Sequence, residues 1–170
     1  MQESARTTGL WFSPDYKPEY NSAIQLPPAK PASISDSLPD PFPEDELKIL
    51  IWSNSGKEAS YIKDVLQQTG YSRLWYATSY DEGLKKMETQ LFDFFIIDLT
   101  IDGIGTDLVK ALRSSVTYRN TPMLICTESQ QIQDMLKAMK AGANDLICKP
   151  INPGLLKKKI ALHSKMALAA

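Results

Sequence analysis

The chain has few of the residues from which metal sites and disulfide frameworks are built. It contains two cysteines and one histidine in 170 residues. Cys126 and Cys148 lack the paired Cys/His spacing of a zinc site, so zinc modules and disulfide-rich folds are excluded. We expect both thiols to be free and buried in strands. The lone His163 falls on the last predicted helix and is expected to be a surface or edge residue without a function.

A strong net charge and a long apolar run are also missing. Nineteen basic and twenty acidic residues leave a formal net charge of −1, so there is no global electrostatic attraction to nucleic acid. No apolar run reaches membrane-spanning length, and the N-terminus lacks a basic segment followed by an apolar one. The sequence therefore predicts a cytoplasmic protein that neither inserts into a membrane nor binds nucleic acid.

Proline is scarce in most of the chain but abundant at its start. Eight of the eleven prolines lie in residues 1–46. Because proline removes a backbone donor and restricts the residue before it, neither helix nor strand can run far there. We predict an extended, largely disordered arm over residues 1–46 and a folded domain over residues 47–170. The arm has eight acidic and three basic residues, a net of −5, whereas the domain has twelve and sixteen, a net of +4.

The arm also carries large aromatic residues of the kind enriched at interfaces. They are Trp11, Phe12, Tyr16 and Tyr20, with Pro14 and Pro18 between them. This spacing suits a short peptide whose rings enter pockets, so we predict a partner-binding motif. Two alternatives stay open, since the rings could fold back on the domain or belong to a simple spacer.

From Leu47 onward, short apolar runs alternate with helical patterns. The runs predict five strands, over residues 47–52, 74–77, 94–99, 123–126 and 146–148. A helix is expected after each strand, with Ser79 and Glu82 at capping-box spacing before the second. Helix four should cover about residues 130–141 and bury one face formed by Ile132, Met135, Leu136 and Met139. Five such alternations predict a parallel, doubly wound α/β sheet with helices on both faces.

Three polar residues fall at predicted strand ends. They are Asp98, Thr127 and Lys149. The carboxyl ends of parallel strands meet at one edge of the sheet, where α/β proteins place their sites. A carboxylate, a hydroxyl and an amine together suit phosphoryl chemistry, with the carboxylate as acceptor and the other two groups on the phosphoryl oxygens. The alternative is a structural ion pair between Asp98 and Lys149.

The same stretches resemble the receiver domain of bacterial two-component response regulators. The resemblance covers about residues 47–165 and rests on three strings: Ile96-Ile97-Asp98-Leu99, Pro122-Met123-Leu124-Ile125-Cys126-Thr127, and Ala141-Gly142-Ala143-Asn144-Asp145-Leu146-Ile147-Cys148-Lys149-Pro150. It implies a flavodoxin-like fold with strand order 2-1-3-4-5 and a cis peptide bond before Pro150. It also implies that Asp98 is the phospho-acceptor, Thr127 the switch hydroxyl and Lys149 the lysine that contacts the phosphate.

The chain departs from the family's pattern at the metal site and at the switch. Ser53 and Asn54 stand where receivers usually have two acids that hold Mg²⁺ together with the acceptor aspartate. Leu146 occupies the position of the aromatic switch residue, and the loop after Asp98 lacks the usual Met-Pro. The sequence therefore resembles a degenerate receiver, or pseudo-receiver, with no bound metal.

Three functions are compatible with these features. The leading interpretation is a non-enzymatic signalling adaptor or scaffold without a cofactor, which binds protein partners through its body, roughly residues 130–162, and through its arm. The partners would be a histidine kinase or a larger bacterial assembly. The second is a working single-domain response regulator that is phosphorylated on Asp98 by a histidine kinase with Mg²⁺. The third, a flavodoxin-like binder of a flavin or nucleotide, has only Ser53-Asn54-Ser55-Gly56 as a phosphate loop.

Overall fold

The computed structural model describes residues 46–101, 104–128 and 132–169. Strands and helices alternate along the whole of this part of the chain. The strands are β1 (Ile49–Trp52), β2 (Leu74–Ala77), β3 (Phe94–Asp98), β4 (Met123–Thr127) and β5 (Asp145–Cys148). The helices are α1 (Gly56–Gln68), α2 (Tyr80–Thr89), α3 (Gly105–Ser114), α4 (Ile132–Ala141) and α5 (Pro153–Ala169).

All five strands pair in parallel in the order β2-β1-β3-β4-β5. This confirms the parallel sheet that the residue pattern predicted and the flavodoxin-like strand order that the receiver resemblance implied. The boundaries of β2 are those predicted, whereas β1 begins at Ile49 rather than at Leu47. Leu47 is nevertheless buried with the core. The peptide bond between Lys149 and Pro150 is cis.

Successive residues of the central strands point to opposite faces of the sheet and enter two separate cores. Ile49 and Ile51 of β1 lie on the face covered by α1 and α5. Leu50 and Trp52 lie on the other face, with residues of α2, α3 and α4. The strands read as continuous apolar runs because both faces are covered.

Trp52 joins β1 to the start of α2. Its indole N–H donates to the carbonyl oxygen of Ser79 at 2.8 Å, and its ring stacks on Tyr80. The predicted cap is present, since the Ser79 hydroxyl accepts from the amide of Glu82. The Glu82 carboxylate, however, accepts from the amide and hydroxyl of Thr78 rather than from Ser79. Gly83 faces the Trp52 ring so closely that a Cβ atom there would overlap it.

The prediction for the inner face of α4 was wrong. Ile132 is 72% exposed, Leu136 50% and Met139 42%. The buried residues of the helix are Ala138 and Ala141, which pack into the core shared with α3. The large apolar residues and the two alanines both recur at helical spacing. The pattern favoured the larger side chains, whereas close approach of the helix to the sheet requires the small ones.

One expectation about a cysteine was also wrong. Cys126 is buried but Cys148 is exposed, because it ends β5, which has a neighbouring strand on one side only. His163, expected at the surface or at an edge, is partly buried beside the edge strand β5, where its Nε2 lies 3.0 Å from Oδ2 of Asp145. The Nζ of Lys159 lies 2.6 Å from the other oxygen of this carboxylate, so α5 is fixed against the first residue of β5.

Arg113, near the end of α3, holds two loops together through oxygen acceptors. Its guanidinium donates to the carbonyl oxygens of Thr121 at 2.6 Å and Gly142 at 2.7 Å, and to Oδ1 of Asn144 at 2.6 Å. Gly142 has a positive φ of 113°, and a Cβ there would meet the Arg113 side chain. The loop before β4 and the loop before β5 therefore share one donor.

Among the helices described in residues 46–101, 104–128 and 132–169, none has both the length and the apolar character that crossing a bilayer requires.

Candidate functional site

The three polar strand-end residues lie together at the carboxyl edge of the sheet. Asp98 is the last residue of β3 and Thr127 the last of β4, and both are buried. Asp98 is in register with Cys126, which places Thr127 one residue further along the neighbouring strand. Lys149 follows β5, and its backbone amide donates to the carbonyl oxygen of Thr127 at 2.9 Å.

Four hydrogen bonds surround the Asp98 carboxylate. Oδ2 accepts from Nζ of Lys149 at 2.8 Å and from the Ser53 hydroxyl at 3.2 Å. Oδ1 accepts from the amide of Thr100 at 2.8 Å and from its hydroxyl at 2.7 Å. Each oxygen thus has two donors, which is as many as its lone pairs serve. Donors from the chain itself therefore satisfy both oxygens of the carboxylate.

Both charged partners are held in their ionised forms. Burial alone would raise the pKa of the Asp98 carboxyl, but the hydrogen bonds from Lys149 and Thr100 outweigh it and the net pKa is lowered. Burial would lower the pKa of Lys149, but its bonds to Asp98 and Glu58 outweigh that effect and the net pKa is raised. At neutral pH the pair is therefore a carboxylate and an ammonium.

Glu58 is part of the site, although the sequence did not single it out. Its Oε2 accepts from Nζ of Lys149 at 2.8 Å, the same distance as Asp98. Its Oε1 is buried and has no hydrogen-bond partner in the part of the chain that the structure describes. Its position in the first turn of α1 could have identified Glu58 from the sequence, because the helix that follows β1 begins at the carboxyl edge of the sheet.

Carboxylates outnumber amines around Lys149. A third carboxylate, Glu128, approaches Nζ at 3.8 Å and is 79% exposed. Asp98, Glu58 and Glu128 against one lysine give these four side chains a net charge of −2. A pocket of 380 Å³ opens beside them, between the first turn of α1 and residues 149–151. Solvent therefore reaches a cluster whose net charge is negative.

Ser53 and Asn54 both act as donors at the end of β1. The Ser53 hydroxyl donates to Asp98, and the Asn54 amide nitrogen donates to the carbonyl oxygen of Thr100 at 3.0 Å. The Asp98 carboxylate and the Thr100 carbonyl oxygen, which lie at this edge, thus accept hydrogen bonds from the chain itself. Leu146, at the expected switch position, is partly buried against the core below α4. Trp11, Phe12, Tyr16 and Tyr20 lie outside the described residues.

Comparison with known proteins identifies the family and the fold of the domain. Residues 49–161 match the response regulator receiver domain. This chain belongs to the receiver domain family. Among curated relatives, the chemotaxis protein CheY of Pseudomonas aeruginosa is 29% identical over 115 residues, which are 67% of this chain and 93% of that protein. Chemotaxis protein CheY1 of Helicobacter pylori is 29% identical over 116 residues, 67% of this chain and 94% of that one.

Solved receiver structures superpose on most of the domain. The chemotaxis response regulator CheY4 of Vibrio cholerae has a TM-score of 0.63 at 28% identity, covering 69% of this chain and 98% of that one. A CheY-like receiver domain protein from Methanospirillum hungatei has a TM-score of 0.64 at 26% identity, covering 72% and 97%. The chain is thus a receiver domain with CheY-like relatives, which confirms the resemblance to response regulator receivers.

Proposed function

We propose that this receiver domain is a pseudo-receiver, a non-enzymatic signalling adaptor that does not take up phosphate on Asp98. It would act by binding protein partners through its body and through residues 1–46. The observation that carries the proposal is the donor shell around Asp98, in which Lys149, Ser53 and Thr100 already serve both carboxylate oxygens.

The residues present do not suit the Mg²⁺ ion that receivers usually hold. A hard dication prefers carboxylate and carbonyl oxygens. Here the end of β1 supplies a hydroxyl and an amide, and the Asn54 N–H already bonds the Thr100 carbonyl oxygen. No cluster of three or more His, Cys, Asp or Glu side chains that could hold a metal occurs in the described residues. We therefore derive no step through a metal ion.

Electrostatics also disfavour phosphoryl transfer at this edge. A phosphodonor is an anion, and its transferring group needs positive charge on its oxygens. The side chains that meet Lys149 leave the cluster with a net charge of −2, and Glu58 occupies an N–H of the ammonium group that a phosphoryl oxygen would need. Lys149 in this chain thus neutralises carboxylates.

The working-regulator alternative rests on one observation. Asp98 is ionised and lies next to a lysine, which are two of the features an acyl-phosphate site requires. Under this alternative a histidine kinase would phosphorylate Asp98 with Mg²⁺, and the Glu58–Lys149 ion pair would open during transfer. The two functions differ in one measurable quantity, the phosphate content of the protein after exposure to a donor.

The test is to incubate the purified full chain with acetyl phosphate and Mg²⁺ and to measure its intact mass. We expect no added phosphoryl group on the wild type. In Ser53→Asp/Asn54→Asp, we expect transfer to appear, because two carboxylates would restore the charge that holds the metal. Adding Asp98→Asn to that double variant is the matched control and should abolish the transfer. Stoichiometric phosphate on wild-type Asp98 would establish the working regulator instead.

A magnesium titration followed by amide chemical shifts around Asp98 provides an independent check. The wild type should show no saturation below millimolar Mg²⁺, whereas Ser53→Asp/Asn54→Asp should saturate at a lower concentration. Saturation of the wild type at submillimolar Mg²⁺ would contradict the proposal.

The adaptor half of the proposal is tested with the arm. Trp11→Ala/Phe12→Ala should weaken capture of partners from a native lysate, because aromatic anchors dominate short-peptide binding. Phe42→Ala tests the large aromatic residue near the end of the arm, which is the next candidate anchor. If the double variant captures the same proteins as the wild type, the arm's anchors lie elsewhere.

A further inference from the structure

Two helices that cover opposite faces of the sheet, α4 and α5, each expose large apolar side chains. On α4 they form a stripe at helical spacing, and on α5 two leucines lie seven residues apart. We call the apolar α4–α5 surface the exposed residues Ile132, Leu136, Met139, Leu155 and Leu162, together with the half-buried Met135 of the α4 stripe. The buried residues of α4, Ala138 and Ala141, lie on its opposite face, so the stripe on α4 faces outward.

The edge strand β5 lies between the two halves of this surface. It pairs with β4 only, and no strand lies on its outer side in the described part of the chain. Lys159 and His163 of α5 contact Asp145, the first residue of β5, which places this side of α5 along the open edge. Leu155 and Leu162 flank Lys159 at i−4 and i+3 and are thus its neighbours on the helix surface.

The basic excess of the domain lies on these same elements. Residues 129–170 contain seven lysines and two aspartates, a net of +5. Residues 47–128 contain nine basic and ten acidic residues, a net of −1. Several of these lysines pair with carboxylates, but Lys140 of α4 and Lys158 of α5 are exposed on the same helices as the apolar side chains. An occupant should therefore combine aromatic or aliphatic groups with acidic residues.

The first 46 residues of the chain have this composition. They carry a net charge of −5 and the adjacent aromatic residues Trp11 and Phe12. They also join the domain close to the surface, since β1 is three strand positions from β5, about 14 Å away. Thirty-four residues separate Phe12 from Leu47, and a random coil of that length has a mean span of about 30 Å. The segment between Phe12 and Leu47 is therefore long enough to bring Phe12 to the apolar α4–α5 surface.

We propose that residues 1–46 dock on the apolar α4–α5 surface of their own domain, with Trp11 and Phe12 as the apolar anchors. The contact is intramolecular, so the local concentration of the arm is about 1 mM. A contact with a dissociation constant of about 0.1 mM between separate molecules would then be formed in roughly nine of ten molecules. A partner that binds Trp11 and Phe12 would first have to draw them away from this surface.

Methionine methyl groups of the full chain report on the contact directly. Met135 and Met139 lie on the apolar α4–α5 surface, whereas Met87 and Met123 are buried in the core. In methyl-labelled protein, Trp11→Ala/Phe12→Ala should shift the signals of Met135 and Met139, because their aromatic neighbours are removed. The signals of Met87 and Met123 should stay in place. Unchanged signals at Met135 and Met139 would overturn the proposal.

The arm itself supplies the reciprocal measurement. Leu162→Asp should move the indole N–H signal of Trp11 to the position of a solvent-exposed tryptophan. Val116→Asp is the matched control, since Val116 is 78% exposed and lies between α3 and β4. It should leave the Trp11 signal unchanged. The Trp52 indole, which bonds Ser79 in the core, shows in each variant that the domain is folded.

A dilution series separates docking within one molecule from docking between copies. The wild-type shifts should be the same at every protein concentration if the arm binds its own domain. Shifts that fade on dilution would show that the arm binds a second copy, and would overturn the intramolecular contact. The proposal goes beyond the function proposed above and does not depend on the phosphate content of Asp98.

Discussion

Lys149 neutralises more than one carboxylate, and this determines what its loss would do. Its side chain is 14% exposed and bonds Asp98, which is 4% exposed, and Glu58, which is 18% exposed. An ion pair this deep adds little net stability when it is intact, because both charges lost their hydration on folding. Removing one partner is costly, since the remaining charge stays buried without compensation.

Replacing Lys149 with Met should therefore destabilise the fold. We expect a loss of about 2–4 kcal/mol in the free energy of unfolding, measured with urea. Asp98→Asn in the same chain should recover part of the loss, since it removes one of the two stranded carboxylates. Lys85→Met, at an exposed position of α2, is the matched control and should change stability by less than about 0.5 kcal/mol. Additive effects of the Lys149 and Asp98 substitutions would show that the two side chains are not coupled.

The lowered pKa of Asp98 predicts a dependence of stability on acid. Its contribution is present above the pKa of the unfolded chain, near 3.8, and is lost as the pH falls through the lower folded value. Between about pH 5 and about pH 2 the wild type should therefore lose more unfolding free energy than Asp98→Asn. Urea unfolding at several pH values checks this. Parallel curves for the two proteins would show that Asp98 does not contribute.

The sequence identified the strand-end residues but not their neighbours. Asp98 and Lys149 each follow an apolar run, and a parallel sheet brings such positions together whatever the loops do. Glu58 and Thr100 lie in a helix turn and a loop, whose positions depend on how the chain leaves the strand. In the sequence, Glu58 looks like any solvent-exposed acidic residue in the first turn of a helix. Only the packing of α1 brings it to Lys149.

Among the elements, α2 shows how one small residue sets a helix position. Gly83 lies against the Trp52 ring, and the Trp52 indole N–H holds the carbonyl oxygen of Ser79, just before the helix. The helix thus approaches the strand as closely as an aromatic ring allows. A glycine inside a helix normally costs stability relative to alanine, so its presence here has a packing reason.

Gly83→Ala should destabilise the protein although alanine favours helix. We expect a net loss of about 1–3 kcal/mol, because the added methyl group forces the Trp52 ring to move. Gly154→Ala in α5 is the matched control, since its nearest atom is the Asn152 side-chain oxygen at 3.5 Å. That change should be neutral or stabilising by at most about 1 kcal/mol. Thermal unfolding of both variants tests the contrast, and a stabilised Gly83→Ala would contradict the packing argument.

The helices also show where hydrophobic periodicity misleads. Leu108, Val109 and Leu112 of α3 recur at helical spacing and are buried. On α4 the same kind of pattern marks the outward face, and the alanines face inward. Periodicity finds a stripe of large apolar residues, but it does not say whether that stripe meets the core or another surface. The difference between α3 and α4 is a difference of function, if the apolar α4–α5 surface binds a peptide.

At the scale of the whole molecule, the domain should fold without its N-terminal arm. All five strands and both cores lie in residues 47–169. A chain that begins at Leu47 should melt within about 5 °C of the full chain, because a docked peptide adds only about 1 kcal/mol to a domain of this size. Circular dichroism on heating measures both. If the shorter chain does not fold, the domain boundary at Leu47 is wrong.

Arg113 has a consequence for how the domain opens. It donates to carbonyl oxygens of the loop before β4 and of the loop before β5, although β4 and α4 separate these loops along the chain. If either loop detaches, its carbonyl oxygens and some of the guanidinium N–H groups lose their hydrogen-bond partners, which costs free energy and loosens the donor that holds the other loop. The amide hydrogens of the two loops should therefore exchange with solvent at a common rate, as one cooperative unit made of two distant segments.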